Sequence, residues 1–114
     1  MKTGDIVLIP FPFAEFTQRK IRPTAVVCET KDSYRDLVLC AISSVLPASL
    51  TPNELILKQD NENGLRKDSV LKVDRIVTAK KQDVIAKNGI LDPKDLARFK
   101  DKFVELIGES ESDQ

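Results

Sequence analysis

Three basic side chains, Arg19, Lys20 and Arg22, fall close together, and the last runs directly into Pro23 and the apolar stretch Thr24-Ala25-Val26-Val27. Proline biases the residue before it to extended geometry, and a following buried strand would hold that backbone rigid. Arg22 is then aimed rather than free. An aimed guanidinium suits phosphate, because its planar fork makes two parallel charge-assisted hydrogen bonds. A solvated charged loop uses the same residue types, and on residue type alone it is the better reading. Ser43-Ser44, at the end of an apolar run, poses the same choice. Two hydroxyls there can hold a phosphate oxygen or cap a turn before Pro47, and composition favours the turn. The chain has no histidine. That removes Ser-His-Asp, Cys-His and two-histidine mechanisms, together with the commonest metal ligand. Any catalysis must come from Arg, Lys, Asp, Glu, Ser, Thr or Tyr.

Cys28 and Cys40 each sit inside an apolar run, where a free thiol acts as a small hydrophobe. Two cysteines without paired spacings make neither a disulfide scaffold nor a zinc site, so both are expected as buried free thiols, and no metal or other cofactor is implied. The chain carries 18 basic and 18 acidic residues, so nothing global announces a polyanion binder. Distribution carries more information than the sum. The basic cluster lies near the start, whereas Asp101, Glu105, Glu109, Glu111 and Asp113 make the end acidic. No apolar run approaches the ~18 residues of a membrane-spanning helix, and the start reaches a strand too soon for a signal peptide. A cytoplasmic protein with no membrane association is expected.

The elements that must position these residues are mostly strands. With 114 residues, 41% of them hydrophobic, the chain is one domain's worth, burying roughly two-thirds of its unfolded surface. The expected domain covers residues 1–108, with 109–114 as an acidic flexible tail. Asp5 to Phe11 is an apolar, β-branched strand closed by Pro10 and Pro12. Ala14 to Ile21 has no period and reads as an exposed loop. Thr24 to Glu29 and Asp36 to Ser43 are further apolar strands, their continuous runs suiting burial on both faces, with a polar turn at Lys31 to Arg35 between them. Glu54 to Lys58 is a short strand, and Asp60 to Arg66 a turn with Asn and Gly where positive φ is needed. Ser69 to Thr78 alternates imperfectly as a strand. Lys80 to Val84 fits one helical turn, and Val84 to Ala86 a short strand before Asn88-Gly89. The clearest helix is the last. Asp92 is placed to cap it, Pro93 to open it, and Asp95 to meet its dipole. Leu96, Phe99, Phe103, Leu106 and Ile107 share one face, and Gly108 reads as the C′ glycine. Many strands followed by one helix make a mainly β fold, a compact barrel or sheet with a packed C-terminal helix.

The opening Gly4-Asp5-Ile6-Val7-Leu8-Ile9-Pro10-Phe11-Pro12-Phe13, a polar loop, and then Arg22-Pro23-Thr24-Ala25-Val26-Val27 resemble the signature of the MazF/PemK toxins. Cys40-Ala41-Ile42-Ser43-Ser44 is similar to that family's Ile-Thr-Ser element. Asp68 to Thr78 resembles its later strand, and Leu96 to Gly108 its terminal helix. The resemblance runs in order over nearly the whole chain, with the opening the most specific part. It implies an SH3-like barrel of the PemK/CcdB type, a homodimer, metal-independent cleavage of single-stranded RNA, and a cognate antitoxin. It places Arg22 at the family's catalytic arginine and Ser43 at its catalytic threonine. It places Ser44 and the loop from Glu15 to Ile21 (Glu15, Phe16, Thr17, Gln18, Arg19 and Lys20) along the RNA channel.

The absent histidine is compatible with that chemistry. RNA supplies its own nucleophile, the 2′-hydroxyl, whose attack on the adjacent phosphorus leaves a 2′,3′-cyclic phosphate and a 5′-hydroxyl. The protein then holds the phosphate in line and stabilises charge on its oxygens. Arg22 suits this as a fixed cation but not as a proton shuttle. Glu15 is the one carboxylate in the loop that offers itself as a base. Two departures from the family bear on specificity. Some members have an arginine where Val77 stands, and Arg75, two residues earlier and hence on the same strand face, is a partial substitute. Phe16 replaces a small residue and can stack on a base or pack the loop shut. A basic groove would attract an acidic, disordered antitoxin segment that folds on binding. The alternatives are a catalytically weak relative, a CcdB-like gyrase poison, or a non-toxic SH3-like interaction domain. Fold alone does not separate them.

Overall fold

The computed structural model describes residues 1–11 and 20–108; the loop positions Glu15, Phe16, Thr17, Gln18 and Arg19 and the tail 109–114 lie outside the described residues. The described residues form six strands, β1 (Asp5–Phe11), β2 (Lys20–Glu29), β3 (Leu37–Ser43), β4 (Glu54–Leu57), β5 (Ser69–Ala79) and β6 (Ala86–Ile90). A single 3-10 turn, Lys81–Asp83, precedes β6, and the helix α1 (Pro93–Gly108) follows it. The strands form one antiparallel, curled sheet in the order β4-β5-β3-β2-β1-β6, so the fold is mainly β, of the PemK/MazF barrel kind. No described helix is long and apolar enough to cross a membrane.

Apolar residues line both faces of this sheet, as the continuous runs imply. Ile6, Ala25, Cys40, Ile42, Leu55, Leu57, Leu71 and Val73 face one cluster with Leu91 and Phe99, against which Leu96, Phe103 and Leu106 of α1 pack. Val7, Ile9, Val26, Leu37 and Leu39 form a second cluster with Val77, Ala79 and Val84. Alternation sends neighbours to opposite faces, so one strand such as β1 feeds both. The two outer strands are tied together through the segment between β4 and β5. The Ile90 amide donates to the Glu62 carbonyl at 2.9 Å, and Asn88 Nδ2 donates to the Gly64 carbonyl at 3.0 Å.

Several boundaries differ from the sequence expectation. β2 starts at Lys20 instead of Thr24, because Lys20, Ile21, Arg22 and Pro23 pair with Phe11, Pro10, Ile9 and Leu8 of β1. Pro10 and Pro23 are tolerated inside strands because each lies where its strand has a neighbour on one side only. Pairing of β1 with β6 stops at Leu8, and pairing of β2 with β3 starts at Thr24. β6 runs through Asn88-Gly89 instead of ending before it. A side chain at Gly89 would run into the backbone of Glu62 and Asn63, so glycine lets these segments close. In β2 the register shifts between Val26 and Cys28. This turns Cys28 outward, so it is an exposed free thiol, not a buried one; Cys40 is free and buried. In α1 the Asp95 amide donates to Asp92 Oδ1 at 2.7 Å, the expected cap. The helix includes Gly108, which does not take positive φ. Ile107 is 66% exposed. At ~100° per residue it lies about 80° around from Phe99, at the stripe's edge in the last turn.

Candidate functional site

The Gly-Asp pair that opens the chain is structural. Gly4 has φ of +91°, its amide donates to the Val26 carbonyl at 2.8 Å, and its carbonyl accepts from the Leu91 amide at 2.9 Å. A Cβ there would come within 2.7 Å of Leu96 Cδ1. Asp5, nearly buried, accepts the Lys2 amide at 2.8 Å and pairs with Lys87 Nζ at 3.4 Å. These contacts lock the start of β1 to β2, β6 and the helix, and through them β2 is held in place. Buried Thr24 adds a bond from its Oγ1 to the Val7 carbonyl at 3.1 Å, two residues from Arg22.

Arg22 is half-buried and lies opposite Ile9 in the β1–β2 ladder. Its side chain stands on the wall between two adjoining clefts, which share Arg22, Pro23, Ile42 and Val45. The first cleft, about 520 Å³, also takes in Ser43, Lys72, Asp74, Arg75 and Val77. The second, about 730 Å³, runs past Lys20, Ile21, Ser44, Arg66, Lys67, Ile85 and Asn88. Five of the site residues expected from sequence are therefore brought together. Arg22, Ser43 and Arg75 share one cleft, and Arg22, Lys20 and Ser44 share the other. Arg75 and Val77 line the same cleft, as their same-face spacing suggests.

Ser43 combines the two roles that its residue type left open. Its Oγ accepts the Val45 amide at 3.1 Å, which shapes the turn after β3, and the same half-buried residue lines the cleft beside Arg22. An oxygen fixed as an acceptor from backbone retains its own proton for donation to a ligand.

Lys72 and Asp74 reach this cleft without having been singled out by sequence. The cause is an irregularity in β5. Cys40 of β3 pairs with Ile76, but the next residue, Ala41, pairs with Lys72. One step on β3 thus spans four on β5, leaving Val73, Asp74 and Arg75 without β3 partners. Such a bulge re-aims side chains, and here Asp74 and Arg75, which regular alternation would send to opposite faces, line one cleft. Asp74 is the only carboxylate lining either cleft among the described residues. Lys72 also pairs with Glu54 at 3.9 Å. Behind the bulge, the Cys40 Sγ donates to the Val73 carbonyl at 3.3 Å, and burial, aided by the Asp74 charge, pushes that thiol up to about 12. No group of three or more Cys, Asp or Glu side chains that could hold a metal ion occurs among the described residues.

No curated protein matches the chain. The family described as PemK-like, MazF-like toxins of type II toxin-antitoxin systems matches residues 2–107. The match takes in the Gly4-Asp5 lock, the Arg22 strand, the Ser43 turn, the bulged β5 and the terminal helix, and the chain belongs to that family of toxins.

Proposed function

We propose that this toxin acts as a metal-independent, sequence-selective endoribonuclease on single-stranded RNA, mRNA included. The observation that carries the reading is the position of Arg22, on the wall between two clefts with Ser43 and Asp74 beside it. A strand whose scissile phosphate rests on Arg22 has a cleft on either side for its flanking nucleotides.

In this reading Arg22 binds the phosphoryl oxygens and stabilises the charge they gain as the 2′-oxygen bonds to phosphorus. Ser43 donates a hydrogen bond from its hydroxyl to one of those oxygens. Asp74 accepts the 2′-hydroxyl proton, the step for which sequence offered Glu15, a residue outside the described ones. The P–O5′ bond breaks as the P–O2′ bond forms, and the departing 5′-oxygen takes a proton from water. The products are a 2′,3′-cyclic phosphate and a 5′-hydroxyl. Lys20, Ser44 and Arg75 hold the flanking backbone, together with the loop that carries Glu15, Phe16, Thr17, Gln18 and Arg19. The toxin works as a homodimer in the cytoplasm, as one domain over 1–108, until an acidic, disordered segment of its antitoxin covers the Arg22 clefts.

Purified protein is expected to cut single-stranded RNA in EDTA, and Arg22→Ala to stop it while circular dichroism shows a folded chain. Primer extension on RNA from cells expressing each form reads activity and cut sequence together. Intact RNA with folded wild-type protein would sink the proposal, and inhibition of supercoiling in a gyrase assay would replace it with a gyrase poison.

A further inference from the structure

The turn expected at Asp60 to Arg66 is present, and its end, Gly64 to Arg66, continues through Lys67 and Ser69 as one wall of the second cleft. The segment is tied down along its length. Asn63, buried, accepts the Asp60 and Leu65 amides on Oδ1 at 3.2 and 3.0 Å and donates Nδ2 to the Lys58 carbonyl at 2.8 Å. Leu65 is buried, and the Gln59 amide donates to Asp68 Oδ1 at 2.9 Å. Ser69 Oγ donates to the Lys67 carbonyl at 2.9 Å. Arg66 and Lys67 are themselves exposed, but the backbone that carries them is held on either side by buried Leu65 and buried Ser69.

The lining of this cleft is one-sided. Lys20, Arg22, Arg66 and Lys67 contribute four cations, and among the described lining residues no carboxylate faces them. None of Lys20, Arg66 and Lys67 is in an ion pair among the described residues. Two large apolar side chains, Ile21 at 56% and Ile85 at 51% exposure, stand in the same cleft without burying their surface. Asn88 spends its Nδ2 on Gly64, which leaves its amide oxygen as an acceptor.

Fixed cations beside unburied apolar surface and a lone acceptor match the parts of a nucleotide, which needs a charge partner for its phosphate and an apolar partner for its base face. The volume falls in the ~300–1,000 Å³ range of small-molecule sites. A peptide of acidic residues alone, such as oligo-glutamate, would use the cations but leave Ile21 and Ile85 exposed. We propose that Arg66 and Lys67, with Ile21, Ile85 and Asn88, form a nucleotide subsite that binds single-stranded RNA beside the phosphate held by Arg22. This rests on the ribonuclease reading for which phosphate is cut, but its binding claim is tested apart from cleavage.

The probe is a 2′-O-methyl oligonucleotide, which cannot supply the nucleophile, and the readout is fluorescence anisotropy over a salt series. Each phosphate contact on a single strand contributes a slope of ~0.7 in log K against log salt. The Arg66→Ala/Lys67→Ala double variant is therefore expected to bind more weakly and to lose about 1.4 from the slope. Lys94→Ala/Lys100→Ala, which removes the same charge from α1, is expected to keep it. Ile85→Ala is expected to weaken binding of the oligonucleotide but not of its abasic counterpart. An unchanged slope in the Arg66/Lys67 variant, or an equal loss in the helix variant, overturns the subsite. Binding of an oligo-glutamate peptide but not of the oligonucleotide, dependent on Arg66 and Lys67, overturns it too and gives the cleft to an acidic partner segment. Wild-type protein that binds with the expected slope but cuts no RNA upholds the subsite and removes the cleavage reading. Cleavage with an unchanged slope does the reverse.

Discussion

In the proposed reaction Arg22 is the central residue, because three constraints meet on it. Pro23 holds its backbone extended, pairing of Ile9 with it fixes the strand register, and Thr24 anchors the next turn of the ladder to Val7. The guanidinium is consequently presented to both clefts from a rigid base. If its value lies in the geometry of the fork as well as in charge, lysine will not replace it. Arg22→Lys is expected to keep RNA binding within a few-fold and to lose cleavage by about 10²-fold, the usual scale for removing one preorganised donor. Single-turnover kinetics at saturating protein separates the two effects, and a variant that cuts at the wild-type rate would show that charge alone suffices. Asp74 shows the limit of reading residues one at a time. Its type was visible, but its cleft was not, because only the bulge in β5 puts it beside Arg75.

At the scale of elements, the opening Gly-Asp is an anchor for the strand and not part of the chemistry. Gly4 is left-handed and faces Leu96 at a distance that no Cβ tolerates. Gly4→Ala combines backbone strain with a displaced Leu96 side chain, for an expected loss of about 1–3 kcal/mol in unfolding free energy. Urea denaturation measures it, and a change below a few tenths would mean that Leu96 and the turn adjust freely. The strands themselves were legible from apolar, β-branched runs, to within one residue at either end for β1, β3, β4 and β5. The ends that moved, at Lys20 and at Asn88-Gly89, moved for one reason. Each is decided by a neighbour distant in sequence, β1 in the first case and the Glu62-Asn63 backbone in the second. Local propensity carries no information about that neighbour.

For the whole molecule, the main apolar cluster draws on residues from Ile6 to Phe99, so nearly every element shares one core. Cys40 lies within it and Cys28 outside, which makes the two thiols reporters of global opening. In native protein at pH 8, Cys28 is expected to react with a thiol reagent and Cys40 to stay protected until the chain unfolds. Equal rapid labelling of both would contradict the core as described. The raised Cys40 thiol also sets a pH dependence. The folded form keeps its proton up to about 12, whereas the unfolded thiol ionises near the ordinary value of 9.0. Between those values the folded state binds more protons, so stability falls as pH rises. Cys40→Ala should remove that part of the alkaline slope, measured by urea unfolding between pH 8.5 and about 10.5.

Sequence alone determined the fold class, the strand and helix content, and the Arg22-Pro23 and Ser43-Ser44 elements, because these rest on short-range rules of apolar period, proline geometry and capping. The family followed from their order along the chain. The tertiary structure decided which charges face one another. The bulge that turns Asp74 and Arg75 into one cleft, the register shift that exposes Cys28, and the clamped segment that lays Arg66 and Lys67 beside Ile85 all depend on pairing between residues far apart in the chain. Such pairing is set by global packing, and nothing in a local pattern announces it.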